Sequence, residues 1–362
     1  MAAVHRRRTA ASPIAPPIRS VPLTTSPRAR CAAQATALIA LTAGALLTVT
    51  TLAAPAQAAT AQAATAPSST ASAATASAAT ASAVPPPSAA APAVAAKGAL
   101  LVDDATGATV FAKDADTGRR MASTTKIMTA AVVLGARNLD LDREVTVEQA
   151  YRDYVAANGT STADLRTGDR LTVRQLLYAA MLPSGSDAAY ALADTYGTGA
   201  TREARTASFI ARMNAKAAEL GLADTVFASF DGIGTDTTTP RDLAKLARHA
   251  MDNATFRTIV QATSYKSTAP AANGGTRTYT WYNTNQLLGS YAGVIGIKTG
   301  TSTPAGLCLV FAATRGDQTV VGVVLNSTNQ YADAAALLDY GFGTSTAKTM
   351  KLRQLPAGAQ RD

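Results

Sequence analysis

Hydrophobic and polar positions fall into distinct regimes along the chain. A nearly unbroken apolar run covers about Ala35 to Ala54, residues 59–96 are small and patternless, and regular alternation begins near Lys97. From there, Ala99-Leu100-Leu101-Val102 and Ala108-Thr109-Val110-Phe111 flank Asp104-Ala105-Thr106-Gly107, which predicts a β-hairpin. Helical spacing of apolar residues predicts helices over about 123–136, 172–182, 186–195, 201–220 and 240–251. Strand patterns return at 293–299, 306–315 and 318–326, the last two joined at Arg315-Gly316-Asp317-Gln318, and a final helix is predicted over 330–340. Strands at both ends of the region with a helical block between them imply an α+β fold. An antiparallel sheet completed by segments distant in sequence is flanked by helices, beside a mainly helical subdomain.

The regimes also give a domain plan. Arg-rich residues, the apolar run and Ala56-Gln57-Ala58, with small residues where a signal peptidase reads, make 1–58 an expected export signal. The alternative is an uncleaved membrane anchor, because the run approaches the ~20 residues that span a bilayer. Residues 59–96 carry no charge, repeat Ala-Ser-Ala-Ala-Thr at 71–75 and 76–80, and contain Pro85-Pro86-Pro87. Without large apolar side chains to offset backbone ordering, this segment reads as a disordered linker. Residues 97–346 form the expected folded domain, and 347–362 read as a basic tail with no second globular domain.

Charge and composition narrow the chemistry. The formal charge is +9, of which Arg6, Arg7, Arg8, Arg19, Arg28 and Arg30 supply six, leaving +3 for the rest of the chain. The basicity belongs largely to the leader, so it gives no reason to expect a nucleic-acid partner, although a weakly basic protein would linger on an anionic cell wall. The cysteines are Cys31, in the leader, and Cys308, inside an apolar run that suits a buried, inert thiol. With His5 and His249 the only histidines, neither a zinc site nor a Ser-His-Asp triad is expected, and no cofactor motif is present.

Three short strings carry the chemistry: Ser123-Thr124-Thr125-Lys126, Ser184-Gly185-Ser186 and Lys298-Thr299-Gly300. Ser123 and Lys126 lie three apart at the start of a helical pattern, so an amine sits one turn from a hydroxyl. The lysine can act as a base once desolvation or a second cation such as Lys298 disfavours its charge. The backbone N–H of Ser123, joined by that of Thr301, could stabilise an oxyanion. Pro183 ends one helix and Ser184 and Ser186 begin the next, where they could relay a proton and face a substrate amide, or simply cap the helix. Gly300 lets a ligand backbone approach its strand, while Lys298, Thr299 and Thr301 supply charge and hydroxyls. Any one string alone is weak, and the bland reading of the first is a capping serine and a solvated lysine. All three in order form the S-x-x-K, S-x-N-like and K-T-G signature of serine acyltransferases that react with penicillin.

With these strings the chain resembles the low-molecular-mass penicillin-binding D-alanyl-D-alanine carboxypeptidases. The likeness covers about residues 97–345 and includes Ser123 through Ala130, Ser184-Gly185-Ser186-Asp187-Ala188, Met213-Asn214, Asn283 through Leu288 and Gly296 through Gly300. The resemblance implies a β-lactamase/transpeptidase-like fold with its site at the sheet edge. It maps the nucleophile onto Ser123, the motif lysine onto Lys126, the relay serine onto Ser184 and the second lysine onto Lys298. It further implies a peptidoglycan stem peptide ending in D-Ala-D-Ala as substrate, β-lactams as inhibitors, and an extracellular or wall-associated location. The chain departs from the pattern at Ser186, where the family usually has Asn, which leaves transfer to an amine open beside hydrolysis. No arginine follows the last predicted strand near Asn326-Ser327-Thr328 to hold a substrate carboxylate, so Thr299 and Thr301 are expected to carry that task. A class A β-lactamase would share the strings but needs a deacylating glutamate. Glu203 and Glu219, the only glutamates between Ser184 and Lys298, begin no E-x-x-L-N pattern.

Overall fold

A computed structural model describes residues 90–359. The expected export signal, most of the expected linker and residues 360–362 lie outside them. Strands β1 (Gly98–Asp103), β2 (Thr109–Lys113) and β3 (Arg119–Arg120) lead through a 3-10 turn, Ala122–Thr125, into α1 (Lys126–Leu134). Next come β4 (Glu144–Thr146), α2 (Gln149–Asn158), β5 (Arg170–Thr172), α3 (Val173–Met181), α4 (Ser186–Tyr196) and α5 (Arg202–Glu219). Then follow β6 (Thr237–Thr238), α6 (Pro240–Met251), α7 (Ala254–Gln261), β7 (Ser264–Pro270) and β8 (Thr276–Tyr282). The chain returns through β9 (Val294–Ser302), β10 (Gly306–Arg315), β11 (Gln318–Ser327) and α8 (Gln330–Phe342).

The main sheet has five antiparallel strands in the order β2-β1-β11-β10-β9, so β1 closes onto β11 from the other end of the domain, as expected. Its central strands are buried on both faces, which is why they read as nearly continuous apolar runs. Leu100, Val102, Val310, Ala312, Val321 and Val323 point into the core shared with α1, α6 and α7. Leu101, Leu309, Phe311, Val320 and Val324 point into a second core beneath α8. Gly322 is required there, because a Cβ would lie 2.1 Å from the Phe311 ring of the paired strand.

Two boundaries differ from expectation. Residues 94–96, expected as linker, are packed: Val94 and Ala96 are buried, and the N–H groups of Ala95 and Ala96 donate to the Asp333 carboxylate at 2.7 and 2.8 Å. A buried carboxylate in the first turn of α8 needs donors, and the incoming chain supplies them. Residues 347–353, expected as tail, also join the body, with Ala347, Met350 and Leu352 against the second core. Single apolar residues at irregular spacing give no periodic signal. The pattern also missed α2, α7 and the β7–β8 hairpin.

Candidate active site

The first string sits where the edge of the sheet meets the helical layer. Ser123 lies in the 3-10 turn rather than in the predicted helix, and Lys126 opens α1. Lys126 Nζ donates to Ser123 Oγ at 2.9 Å and to the backbone oxygen of Asp231 at 3.0 Å. Lys126 is only 1% exposed and Ser123 makes no capping bond, so the solvated-lysine, capping-serine alternative fails. Ala122, just before Ser123, has φ +46°, a left-handed conformation of the kind that gathers at functional sites at a cost of about 1–3 kcal/mol.

The second string follows α3, whose start is fixed by a reciprocal capping box between Thr172 and Gln175. Ser184 takes φ +64°, and Gly185 is the N-cap of α4 without any side-chain bond. The hydroxyls of Ser184 and Ser186 are buried and meet no hydrogen-bond partner, so neither serine caps the helix. A Cβ on Gly185 would lie 2.6 Å from the Ala163 Cβ and 2.8 Å from the Ala179 oxygen, so only glycine fits. Asp187, one residue on, accepts from Thr162 Oγ1, Ala163 N and Leu165 N at 2.9, 2.9 and 3.1 Å. It pins residues 162–165 against the serines.

The third string lies on β9, the edge strand, which pairs with β10 on one side and packs on the 3-10 turn. A Cβ on Gly300 would stand 3.0 Å from the Met121 oxygen and 3.1 Å from the amide nitrogens of Ser123 and Thr124, so glycine sets how closely β9 approaches the serine. Lys298 is 1% exposed and its Nζ donates to the Thr299 oxygen at 3.0 Å. Thr299 Oγ1 lies 2.6 Å from Thr284 Oγ1, while Thr301 is exposed at the rim. Thr284 also reaches the second string, with its N–H 3.0 Å from the Leu182 oxygen. One threonine therefore ties both strings together. The sequence offered Asn283-Thr284-Asn285 only as part of a likeness, without a role.

A loop between α5 and α6 completes the surroundings, and no sequence motif announced it. Its Asp236 carboxylate accepts from the N–H groups of Ala228 and Ser229 and from Ser229 Oγ, and burial raises its pKa despite those bonds. Asn214 brackets the loop's start, accepting from Phe227 N at 2.9 Å and donating to the Phe227 oxygen at 2.8 Å. Gly232, at φ +93°, rests on the backbone of Ala122 and Ser123. The fully buried Asp231 accepts from Tyr154 OH at 3.1 Å, and its other carboxylate oxygen has no partner. Burial first, and then the Asp231 charge, push the Tyr154 phenol well above its ordinary pKa. Cys308 is wholly buried, and burial raises its thiol to about 11.

Comparison with known proteins places this geometry. The family model described as D-alanyl-D-alanine carboxypeptidase matches residues 86–329. A D-alanyl-D-alanine carboxypeptidase of Streptomyces sp. (strain K15) is 54% identical over 253 residues, which cover 68% of this chain and 87% of that one. The crystal structure of the Streptomyces K15 DD-transpeptidase superposes with a TM-score of 0.70 at 54% identity, covering 70% of this chain and all of that one. A D-alanyl-D-alanine carboxypeptidase structure from Mycobacterium tuberculosis gives 0.63 at 29% identity, covering 74% and 99%. The buried serine–lysine pair thus lies on a β-lactamase/transpeptidase-like fold, and the chain belongs to the D-alanyl-D-alanine carboxypeptidase family of serine peptidases.

Proposed function

We propose that the chain is a penicillin-sensitive D,D-peptidase that acts on peptidoglycan stem peptides through an acyl-enzyme on Ser123. The observation that carries this reading is the buried 2.9 Å contact between Lys126 Nζ and Ser123 Oγ, with the β9 glycine against the serine's amide. Lys126 in its neutral form takes the hydroxyl proton as Oγ bonds to the penultimate D-Ala carbonyl carbon. The carbon–nitrogen bond then breaks, and the terminal D-Ala leaves with a proton passed through Ser184. Burial of both lysines supports this, because desolvation works against the ammonium form of an amine. Lys298, Thr299, Gly300, Thr301 and Ser186 bind the substrate, whose extended backbone lies along the free edge of β9.

Water resolves the acyl-enzyme in a carboxypeptidase, and an amine from a second stem peptide does so in a transpeptidase. Two observations keep the second acceptor in play. A relative at 54% identity is called a DD-transpeptidase, and Ser186 presents a hydroxyl where the family usually has an amide. We further propose export of the chain through residues 1–58 to the cell wall, which the carboxypeptidase substrate requires. Among the described residues no helix is long and apolar enough to cross a membrane.

Intact mass after brief exposure to benzylpenicillin tests the proposal. A one-to-one adduct that disappears in Ser123→Ala is expected, together with D-Ala release from a stem-peptide analogue. An adduct that survives Ser123→Ala refutes the assigned nucleophile, and rapid drug turnover points to a β-lactamase. N-terminal sequencing of the exported protein tests cleavage after Ala58.

A further inference from the structure

In the segment after α8, Arg353 reaches the loop beside the site. Arg353 N donates to Ser290 Oγ at 2.6 Å, and its Nε to the Leu288 oxygen at 3.1 Å. One terminal nitrogen, Nη2, donates to the Asn283 and Asn285 oxygens at 2.6 and 3.1 Å. The partners are carbonyls that bracket Thr284. Arg205, Arg241 and Arg277, by contrast, bind carboxylates, which raise their pKa values, whereas burial lowers that of Arg353. A fan of N–H donors on a rigid plane is the side chain suited to gathering several carbonyls of one loop.

What the gathered loop does gives the contact its meaning. Thr284 donates its N–H to the Leu182 oxygen, two residues ahead of Ser184, and its hydroxyl meets Thr299 on β9. Its own oxygen accepts from Tyr331 OH at 2.7 Å. Asn283 holds the loop's other flank through the Val260 and Ala262 oxygens at 3.2 and 3.0 Å. Thr284 is thus fixed from both sides while it spans the second and third strings.

We propose that Arg353 is a positioning residue: by clasping 283–290 it sets, through Thr284, the separation of the Ser184–Ser186 turn and the Lys298–Gly300 strand, and so the efficiency with which Ser123 is acylated. This rests on the acyl-enzyme reading above. Reacting groups displaced by about 1 Å lose on the order of a hundredfold in rate.

The test compares the wild-type full chain, Arg353→Ala, Arg353→Lys, Thr284→Val and the Arg353→Ala/Thr284→Val pair. The second-order rate of acylation by benzylpenicillin should fall roughly ten- to a hundredfold in Arg353→Ala and in Thr284→Val. The pair should be little slower than the slower single variant, because both changes break one chain of contacts. Added guanidinium should partly restore Arg353→Ala but not Thr284→Val, a response that loss of stability alone would not give. Rates within about twofold of wild type in Arg353→Ala, or effects that multiply in the pair, overturn the proposal. If the wild type itself forms no adduct, the acyl-enzyme reading falls, and amide hydrogen exchange decides the clasp by itself. Faster exchange in Arg353→Ala must then reach 182–186 and 298–301; exchange raised only in 283–290 overturns it.

Discussion

Gly232 is the most exacting test of the site as described. It has φ +93°, and a Cβ there would lie 2.0 Å from the Ala122 oxygen, 2.3 Å from the Ala122 carbonyl carbon and 3.0 Å from the Ser123 nitrogen. All three are backbone atoms, so no side chain can swing aside. Ordinary contact begins near 3.4 Å, which requires the loop and the 3-10 turn to part by more than 1 Å in Gly232→Ala. The backbone conformation costs a β-carbon residue about 1–3 kcal/mol, and overpacking adds about 1–3 kcal/mol. A total near 2–6 kcal/mol lowers Tm by roughly 5–20 °C for a domain of this size. The parting also carries Asp231, whose oxygen holds Lys126 Nζ at 3.0 Å, away from Ser123. A displacement of that size predicts acylation by benzylpenicillin slower by about a hundredfold. Stopped intact-mass time courses on folded protein, kept below its new Tm, measure that rate. Acylation within about threefold of wild type, with Tm unchanged, would refute the claim that this loop positions the pair.

The other predictions concern groups that the fold buries. Burial raises the Cys308 thiol from its ordinary 9.0 to about 11 in the folded chain, so the folded state binds more protons between those values. The stability this contributes is therefore complete below pH 8 and falls as pH rises. The difference from Cys308→Ala in urea unfolding should shift by about 2 kcal/mol between pH 8 and pH 11, and parallel curves would show that the thiol does not titrate there. Asp187→Ala leaves the buried amides of Ala163 and Leu165 without their acceptor, costing about 1–3 kcal/mol for each. Asp187→Asn, which keeps one acceptor, should cost less, and equal denaturation midpoints for the two variants would remove the argument. Ser186→Asn should change the ratio of hydrolysis to transfer measured with a stem-peptide donor and an amine acceptor, because it places an amide where an unpartnered hydroxyl now stands. An unchanged ratio would make the identity of that residue irrelevant to acceptor choice.

The sheet was readable in the chain because its central strands are buried on both faces, leaving apolar runs bounded by turn residues. The helices with clear stripes, such as α5 and α6, were readable for the related reason that one side of each is buried and the other is not. In α2 only Tyr151 is buried, so no stripe exists to be read, and α7 has just eight residues. The strings with Ser123, Ser184 and Lys298 were legible because their chemistry fixes residue type and local spacing together. Thr284, Asp231, Gly232 and Arg353 were not, because each acts through a backbone atom or a long-range contact that leaves no local pattern. Arg353 donates to carbonyls 65–70 residues away, and any residue can present a carbonyl.

That distinction explains why the two buried lysines can tolerate their surroundings. Lys126 and Lys298 are each 1% exposed, and the acceptors at 3.0 Å are the backbone oxygens of Asp231 and Thr299. A side-chain carboxylate in those places would hold the ammonium form by charge and block proton transfer from Ser123. A carbonyl satisfies the N–H donors without fixing the charge. A carbonyl can be aimed only by holding its loop, and the holding is done by other residues: at Asp236 and Asn214 for one, and at Thr284, through the Thr299 hydroxyl, for the other. On the acyl-enzyme reading, the proton of this serine–lysine pair moves beside backbone carbonyls whose loops are held by residues outside the three strings.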